Sequence, residues 1–145
     1  MSSSLIFLHV LFGTKKWTQC IVIHGTRRLR FKTRDVSSSL LELEYLNHLD
    51  LSGNDFYGNQ IPVFFGSFKK LGYLNLSGSL FSGKVPYNLG NLTDLRVLDL
   101  SENNDGTLLY VDDVNWVSQL SSLQIPCHGR CEPFQGVHSR FDGGT

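Results

Sequence analysis

Residues 43–54 read Leu-Glu-Tyr-Leu-Asn-His-Leu-Asp-Leu-Ser-Gly-Asn, and closely related stretches return at residues 68–79 and 92–103. The spacing between equivalent leucines is 25 residues from Leu46 to Leu71, 24 from Leu71 to Leu95 and 28 from Leu95 to Leu123. A recurring period of this length is characteristic of chains built from stacked structural repeats. Residues 36–124 are therefore predicted to form a half repeat, three full repeats and the start of a fourth.

Leucines alternate with other residues at the centre of each repeat, as in Leu49-Asp50-Leu51. A period of two predicts a β-strand whose leucines point inward and whose intervening residues point outward. Strands this short are unstable alone, but parallel stacking lets them share hydrogen bonds and one leucine core. The outward residues are predicted to line an exposed concave face and to contact a ligand there. They are His48, Asp50, Ser52, Tyr73, Asn75, Ser77, Val97, Asp99 and Ser101.

A polar residue follows each strand by three positions: Asn54 in the first repeat, Ser79 in the second and Asn103 in the third. An asparagine amide can satisfy backbone groups of its own coil and of the adjacent coil. A serine hydroxyl reaches less far and makes fewer hydrogen bonds. We therefore expect the connection between coils to be weaker at Ser79.

The segments Gly58-Asn-Gln-Ile-Pro62 and Ser82-Gly-Lys-Val-Pro86 add a second recurring element. Together with Leu-x-Leu-Ser-Gly-Asn at residues 49–54, they resemble the plant type of leucine-rich repeat. The stretch is similar to the receptor-like proteins that sense fungal xylanase and related elicitors, and receptor-like kinases share the same ectodomain repeat. The resemblance implies a leucine-rich-repeat solenoid at the extracellular face of the plasma membrane or in the cell wall. Its implied partners are a peptide, a protein elicitor or a co-receptor.

The third repeat departs from this consensus, because residues 106–116 replace the Gly-x-Ile-Pro element. Asp112 or Asp113 is predicted to cap a helical turn there. The apolar face of that turn is predicted to consist of Trp116, Val117, Leu120 and Leu123.

Both ends of the chain differ from the repeats. Residues 1–35 carry seven Lys and Arg against one acidic residue, whereas residues 36–124 carry four basic and ten acidic residues. Residues 5–12 form an apolar run with the length of a signal-peptide core, too short to span a membrane. No charge precedes it and no small-residue cleavage site is evident, so we expect no working signal peptide here. Residues 125–145 resemble no repeat, and we expect a disordered or atypical tail. With the resemblance above, we expect the chain to be a truncated piece of a longer receptor-like protein.

Other kinds of chemistry find little support in the sequence. Cys127, His128 and Cys131, with His138, lack the ligand spacing of a standard zinc site. The basic stretch 27–34 contains one aromatic residue and no nucleic-acid-binding motif accompanies it. Neither a phosphate-binding loop nor a kinase signature is present, which predicts no metal, no nucleic acid and no small-molecule cofactor.

Two Asn-x-Ser/Thr sequons occur, at Asn75 and Asn91. Asn91 falls in a predicted turn, where a glycan fits easily. Asn75 falls on the predicted concave face, where a glycan would obstruct a ligand. Both are candidate glycosylation sites if the chain is extracellular.

The favoured hypothesis is ligand or protein binding by part of a plant receptor-like protein, in defence or signalling. A secreted inhibitor of cell-wall-degrading enzymes is an alternative, since it would use the same repeats. A gene fragment without independent function is the other alternative.

The sequence predicts no enzymatic activity. The acidic pairs Glu42/Glu44 and Asp112/Asp113 lie in strand edges and turns, and such a pair becomes an acid/base dyad only where its environment separates the two pKa values. We expect no turnover above buffer in a panel of hydrolase and kinase substrates. Reproducible turnover that is lost on substitution of Asp112 and Asp113, or of Cys127 and His128, would contradict this expectation.

Overall fold

The computed structural model describes residues 20–23, 36–103 and 109–124, and the backbone of residues 138–139. Seven short strands lie in these ranges: β1 (Cys20–Val22), β2 (His48–Asp50), β3 (Tyr73–Asn75), β4 (Gly83–Lys84), β5 (Val97–Asp99), β6 (Leu109–Val111) and β7 (His138–Ser139). Four 3₁₀ helices complete the described elements: η1 (Ser38–Glu42), η2 (Val63–Ser67), η3 (Tyr87–Asn91) and η4 (Asn115–Gln119).

The main sheet is parallel and has the strand order β1-β2-β3-β5. Its register aligns Leu49 with Leu74 and Leu74 with Leu98, so that equivalent leucines of successive repeats stack. Leu49 and Leu74 are 0% exposed and Leu98 is 4% exposed. The predicted leucine-rich-repeat solenoid, with short parallel strands around one apolar core, is confirmed.

The sheets extend beyond the predicted limits of the repeats, which were residues 36 and 124. β1 pairs in parallel with β2, and its central Ile21 is buried in the common core. β7 pairs in parallel with β6. Neither strand carries the leucine spacing that identified the repeats, because each contributes only two or three residues. The signal-like run at 5–12 and most of the predicted tail lie outside the described residues.

The 3₁₀ helices lie on the side of each coil opposite the main sheet. Pro62 and Pro86 directly precede η2 and η3, where their fixed backbone angle suits the entry into a helical turn. One inward side chain per helix, Leu40, Phe65 or Leu89, joins the core. Successive coils approach closely here: a Cβ added at Gly66 would lie 2.2 Å from the carbonyl oxygen of Asn88.

A second, smaller sheet accommodates the irregular third repeat. Its strands are ordered β4-β6-β7, with Gly83 opposite Leu109 and Lys84 opposite Tyr110. The chain then turns into η4, where a carboxylate oxygen of Asp113 accepts a hydrogen bond from the Asn115 N–H at 2.8 Å. The N-cap of η4 is Val114, which makes no side-chain capping bond, so the prediction of a cap at Asp112 or Asp113 is wrong and Asp113 bonds the turn from one residue before the cap. The predicted apolar face is confirmed: Trp116 and Leu120 are buried, and Val117 and Leu123 pack against the core.

Polar side chains connect the coils where the strands end. The amide nitrogen of Asn103 donates to the carbonyls of Leu100 in its own coil (2.9 Å) and Leu76 in the preceding coil (2.8 Å). Its oxygen accepts from the N–H groups of Ser79 at 3.0 Å and Phe81 at 3.1 Å. Asn54 donates in the same way to Leu51 (2.8 Å) and Ile23 (2.7 Å).

Ser79 keeps the connection to the preceding coil, contrary to the expected loss of reach. Its hydroxyl donates to the Leu51 carbonyl at 2.7 Å. The backbone compensates for the missing amide oxygen, because the Phe56 N–H donates to the Ser79 carbonyl at 3.1 Å. A short side chain suffices here since the backbone itself supplies the acceptor.

We expect Asn103→Ala to destabilise the chain strongly. The asparagine is 1% exposed, and its removal leaves the amides of Ser79 and Phe81 without this acceptor. Each buried backbone group left unpaired costs about 1–3 kcal/mol. Thermal or urea unfolding of the full chain measures the loss, with the exposed Asn47→Ala as the control. Equal stability of the two variants would show that the side-chain hydrogen bonds of Asn103 between coils do not stabilise the fold.

The close approach of η2 and η3 leaves no room for a side chain at Gly66. Gly66→Ala places a methyl group against the Asn88 backbone, which cannot rotate away, and overpacking of this kind costs about 1–3 kcal/mol. Gly72→Ala is the matched control, because the nearest atom to its added Cβ is 3.6 Å away. The midpoint of unfolding should fall for Gly66→Ala and change little for Gly72→Ala. Similar midpoints would show that the coils can separate here without cost.

Candidate functional site

The strand register arranges the outward side chains of the main sheet in rows that cross the repeats. The first row is Cys20, His48, Tyr73 and Val97. The middle row is Val22, Asp50, Asn75 and Asp99. A third row, two positions further along the chain, is Ser52, Ser77 and Ser101. These three rows include all nine predicted contact residues.

The first row presents an aromatic platform. The rings of His48 and Tyr73 stack with their centroids 4.1 Å apart and their planes 5° from parallel. Both residues are half-buried, as is Val97, and Cys20 at the end of the row is exposed. Stacked planar rings lose little conformational entropy on contact with a partner, so they suit a binding surface.

The polar side chains of the middle row stabilise the turns that follow the strands, a role that the sequence pattern did not reveal. One side-chain oxygen of each polar member accepts a hydrogen bond from the backbone N–H two residues later. These bonds join Asp50 to Ser52, Asn75 to Ser77 and Asp99 to Ser101, each at 3.0 Å. Asp and Asn commonly stabilise turns by this short-range bond.

Serine hydroxyls strengthen two of these turns. Ser101 Oγ donates to the Asp99 carboxylate at 2.6 Å, and Ser77 Oγ donates to the Asn75 oxygen at 2.8 Å. Two serines of the third row thus hold the side chains of the middle row in place by hydrogen bonds. Asp99 and Asn75 remain half-buried, so part of each side chain still faces solvent.

The prediction that every outward residue is exposed is wrong for Asp50 and Ser52. Asp50 is 4% exposed and Ser52 is 9% exposed. Asp50 lies between Val22 and Asn75 of the adjacent strands, and its carboxylate is turned toward the Ser52 backbone. Asp99 is therefore the accessible carboxylate of the middle row, with the amide of Asn75 beside it.

Two residues of this face were missed by sequence reasoning. Cys20 is exposed and Val22 is 41% exposed, and they extend the first and middle rows by one strand. They belong to β1, which no leucine spacing marks. An apolar triplet, Cys20-Ile21-Val22, was the one available signal.

The acidic pairs considered for catalysis do not form carboxylate dyads. Asp112 forms an ion pair with Lys84 at 2.8 Å, while Asp113 accepts a hydrogen bond from the Asn115 N–H at the start of η4. The hydrogen bond from Lys84 to Asp112, and then the negative charge of Asp112, raise the pKa of Lys84 above its usual value. Glu42 and Glu44 are exposed at the surface. Each of these carboxylates is thus in an ordinary structural or solvated position.

Within the ranges that the structure describes, no three His, Cys, Asp or Glu side chains converge on a possible metal position. Cys127, His128, Cys131 and the side chain of His138 lie outside the described residues. Among the helices of those same ranges, none has the length and apolar character needed to cross a bilayer.

Comparisons of sequence identify the repeat. The family model for the Leucine Rich Repeat matches residues 45–68 and 70–92. Receptor-like protein EIX1 of Solanum lycopersicum is 59% identical over 93 residues, which are 64% of this chain and 9% of that protein. Receptor-like protein EIX2 of the same plant is 65% identical over 54 residues, or 37% of this chain and 5% of that protein. The chain therefore spans less than a tenth of these relatives.

Solved structures give the same fold. The ectodomain of the receptor kinase SOBIR1 from Arabidopsis thaliana is similar with a TM-score of 0.54 and 32% identity, covering 70% of this chain and 50% of that one. The ectodomain of GASSHO1/SCHENGEN3 from Arabidopsis thaliana, in complex with CASPARIAN STRIP INTEGRITY FACTOR 2, has a TM-score of 0.55 and 26% identity. That match covers 72% of this chain and 11% of the other.

Proposed function

The chain carries leucine-rich repeats of the kind found in plant receptor-like proteins, and on that premise we propose that its concave face binds a ligand. The ligand would be a peptide, a protein elicitor or the ectodomain of a co-receptor. The setting would be defence or signalling at the extracellular face of the plasma membrane. The observation that carries the proposal is the His48–Tyr73 stack, which lies on the two central strands at the outward face of the main sheet.

The chemistry of the face favours a particular kind of ligand. Tyr73 and His48 offer apolar ring surface, and Tyr73 adds a hydroxyl that accepts a hydrogen bond from the Asn75 amide at 3.3 Å. Asp99 supplies negative charge one strand away. An aromatic anchor beside a carboxylate suits a side chain that is apolar along its stem and basic at its end.

The size of the face limits how much ligand it reads. Four parallel strands span three inter-strand distances, or about 14 Å at ~4.8 Å each. An extended peptide rises about 3.3 Å per residue, so about four of its residues fit across the rows. We propose that this segment recognises a short stretch of a ligand that the rest of a longer receptor would also contact.

A positional-scanning library of tetrapeptides, applied to the full chain, tests this proposal. We expect selection of a Lys or Arg next to an apolar residue. Loss of the ring in Tyr73→Ala should weaken binding of the selected peptides at least tenfold, about 1.4 kcal/mol, as for an interface anchor. Tyr73→Phe should retain most of the affinity, since it keeps the stack with His48.

Tyr87→Ala is the matched control, because Tyr87 is 66% exposed in η3 on the opposite side of the coil. The proposal requires that this variant binds as the unaltered chain does. Undiminished binding by Tyr73→Ala, or weaker binding by Tyr87→Ala alone, would contradict the proposal that the ligand binds to the concave face.

A further inference from the structure

The two Asn-x-Ser/Thr sequons lie in opposite surroundings. Asn75 occupies the centre of β3, with Asp50 and Asp99 in register on either side. Its amide nitrogen donates to the Tyr73 hydroxyl at 3.3 Å, and its oxygen accepts from Ser77. A glycan on that nitrogen would leave it a single N–H for the bond to Tyr73. Neighbouring strands only about 4.8 Å away would crowd the first sugar.

Asn91 meets none of these constraints. It is the last residue of η3 and is exposed, while the adjacent Leu92 is 0% exposed and anchors the turn in the core. Thr93, whose hydroxyl completes the sequon, is exposed as well. The equivalent last residues of the neighbouring helices, Ser67 and Gln119, are exposed and polar, so the surface on either side of Asn91 is open to solvent.

We infer that Asn91, and not Asn75, carries an N-linked glycan when the chain passes through the secretory pathway. The inference rests on the extracellular location in the proposed function, but not on ligand binding. In the reaction, the Asn91 amide nitrogen bonds to the anomeric carbon of an oligosaccharide donor. The bond from that carbon to the donor's lipid diphosphate breaks, the lipid diphosphate leaves, and the amide nitrogen loses one proton.

The consequence is a division of the surface. A glycan is bulky and solubilising. On Asn91 it would extend from the side of the 3₁₀ helices, near the exposed ring of Tyr87 in the same helix. The rows of the main sheet would stay free of carbohydrate, and Asn75 would keep its bonds to Tyr73 and Ser77.

Expression of the full chain behind a heterologous signal peptide in a eukaryotic host tests the inference. We expect one step of reduced gel mobility that disappears on treatment with an endoglycosidase. The step should be absent in Asn91→Gln and in Thr93→Ala, and present in Thr93→Ser, which keeps a sequon. Peptide mapping after enzymatic deglycosylation should find the diagnostic aspartate at position 91.

Asn75→Asp is the matched control, since Asp50 and Asp99 fill the same position of the adjacent strands and the side-chain oxygen that bonds Ser77 is retained. This variant should keep the mobility step. A step that persists in Asn91→Gln and vanishes in Asn75→Asp, or a secreted chain without any glycan, would overturn the inference. Because ligand binding is not measured, these outcomes leave the proposed function to its own test.

Discussion

The fold depends on hydrogen bonds from each coil to the next, since no single coil can bury its own leucines. The Leu51 N–H donates to the Asn75 carbonyl of the next coil, and the Leu76 N–H donates to the Asp99 carbonyl in the same way. Asn54, Ser79 and Asn103 add side-chain bonds at the same level of each coil. A solenoid is stable only as the sum of such contacts between neighbours. Each coil therefore provides the hydrogen-bond partners of the one before it, and the same stacking encloses the apolar core.

That constraint also creates the candidate binding face. Parallel strands in strict register must place equivalent side chains beside one another, whatever their chemistry. His48 and Tyr73 stack because they occupy the same position in adjacent strands. The choice of residue in the middle row is more restricted, because Asp50, Asn75 and Asp99 each close a turn with one side-chain oxygen. The described side chains of the first row close no turn in this way, so this row can vary in sequence without changing the fold.

The sequence predicts most of this architecture, because the alternating leucines and their recurring spacing mark the residues that are buried in the core. It does not predict β1, since Cys20-Ile21-Val22 becomes a strand only by pairing with β2, and pairing across 28 residues leaves no local pattern. The burial of Asp50 was missed for a related reason: alternation assigns a side of the sheet, whereas exposure depends on the neighbours. The sequence shows only that the side chain of Ser79 is short, whereas the backbone carbonyl of the same residue supplies the second bond. The remaining errors thus concern contacts between distant parts of the chain.

The two sides of each coil are under different physical demands. On the helical side, Gly66 and Gly90 allow backbones to approach so closely that an added Cβ would lie 2.2 Å and 2.9 Å from carbonyl oxygens of the next coil. Close backbone contact excludes larger residues at those positions, but residues at the helix ends, such as Asn91, still project into solvent. On the strand side, curvature brings the outward side chains of successive coils together. A partner can therefore touch several coils at once on the concave side, whereas a substituent on the helical side meets only one. The proposed recognition therefore suits the first surface and the proposed modification suits the second, because the geometry of the two surfaces differs.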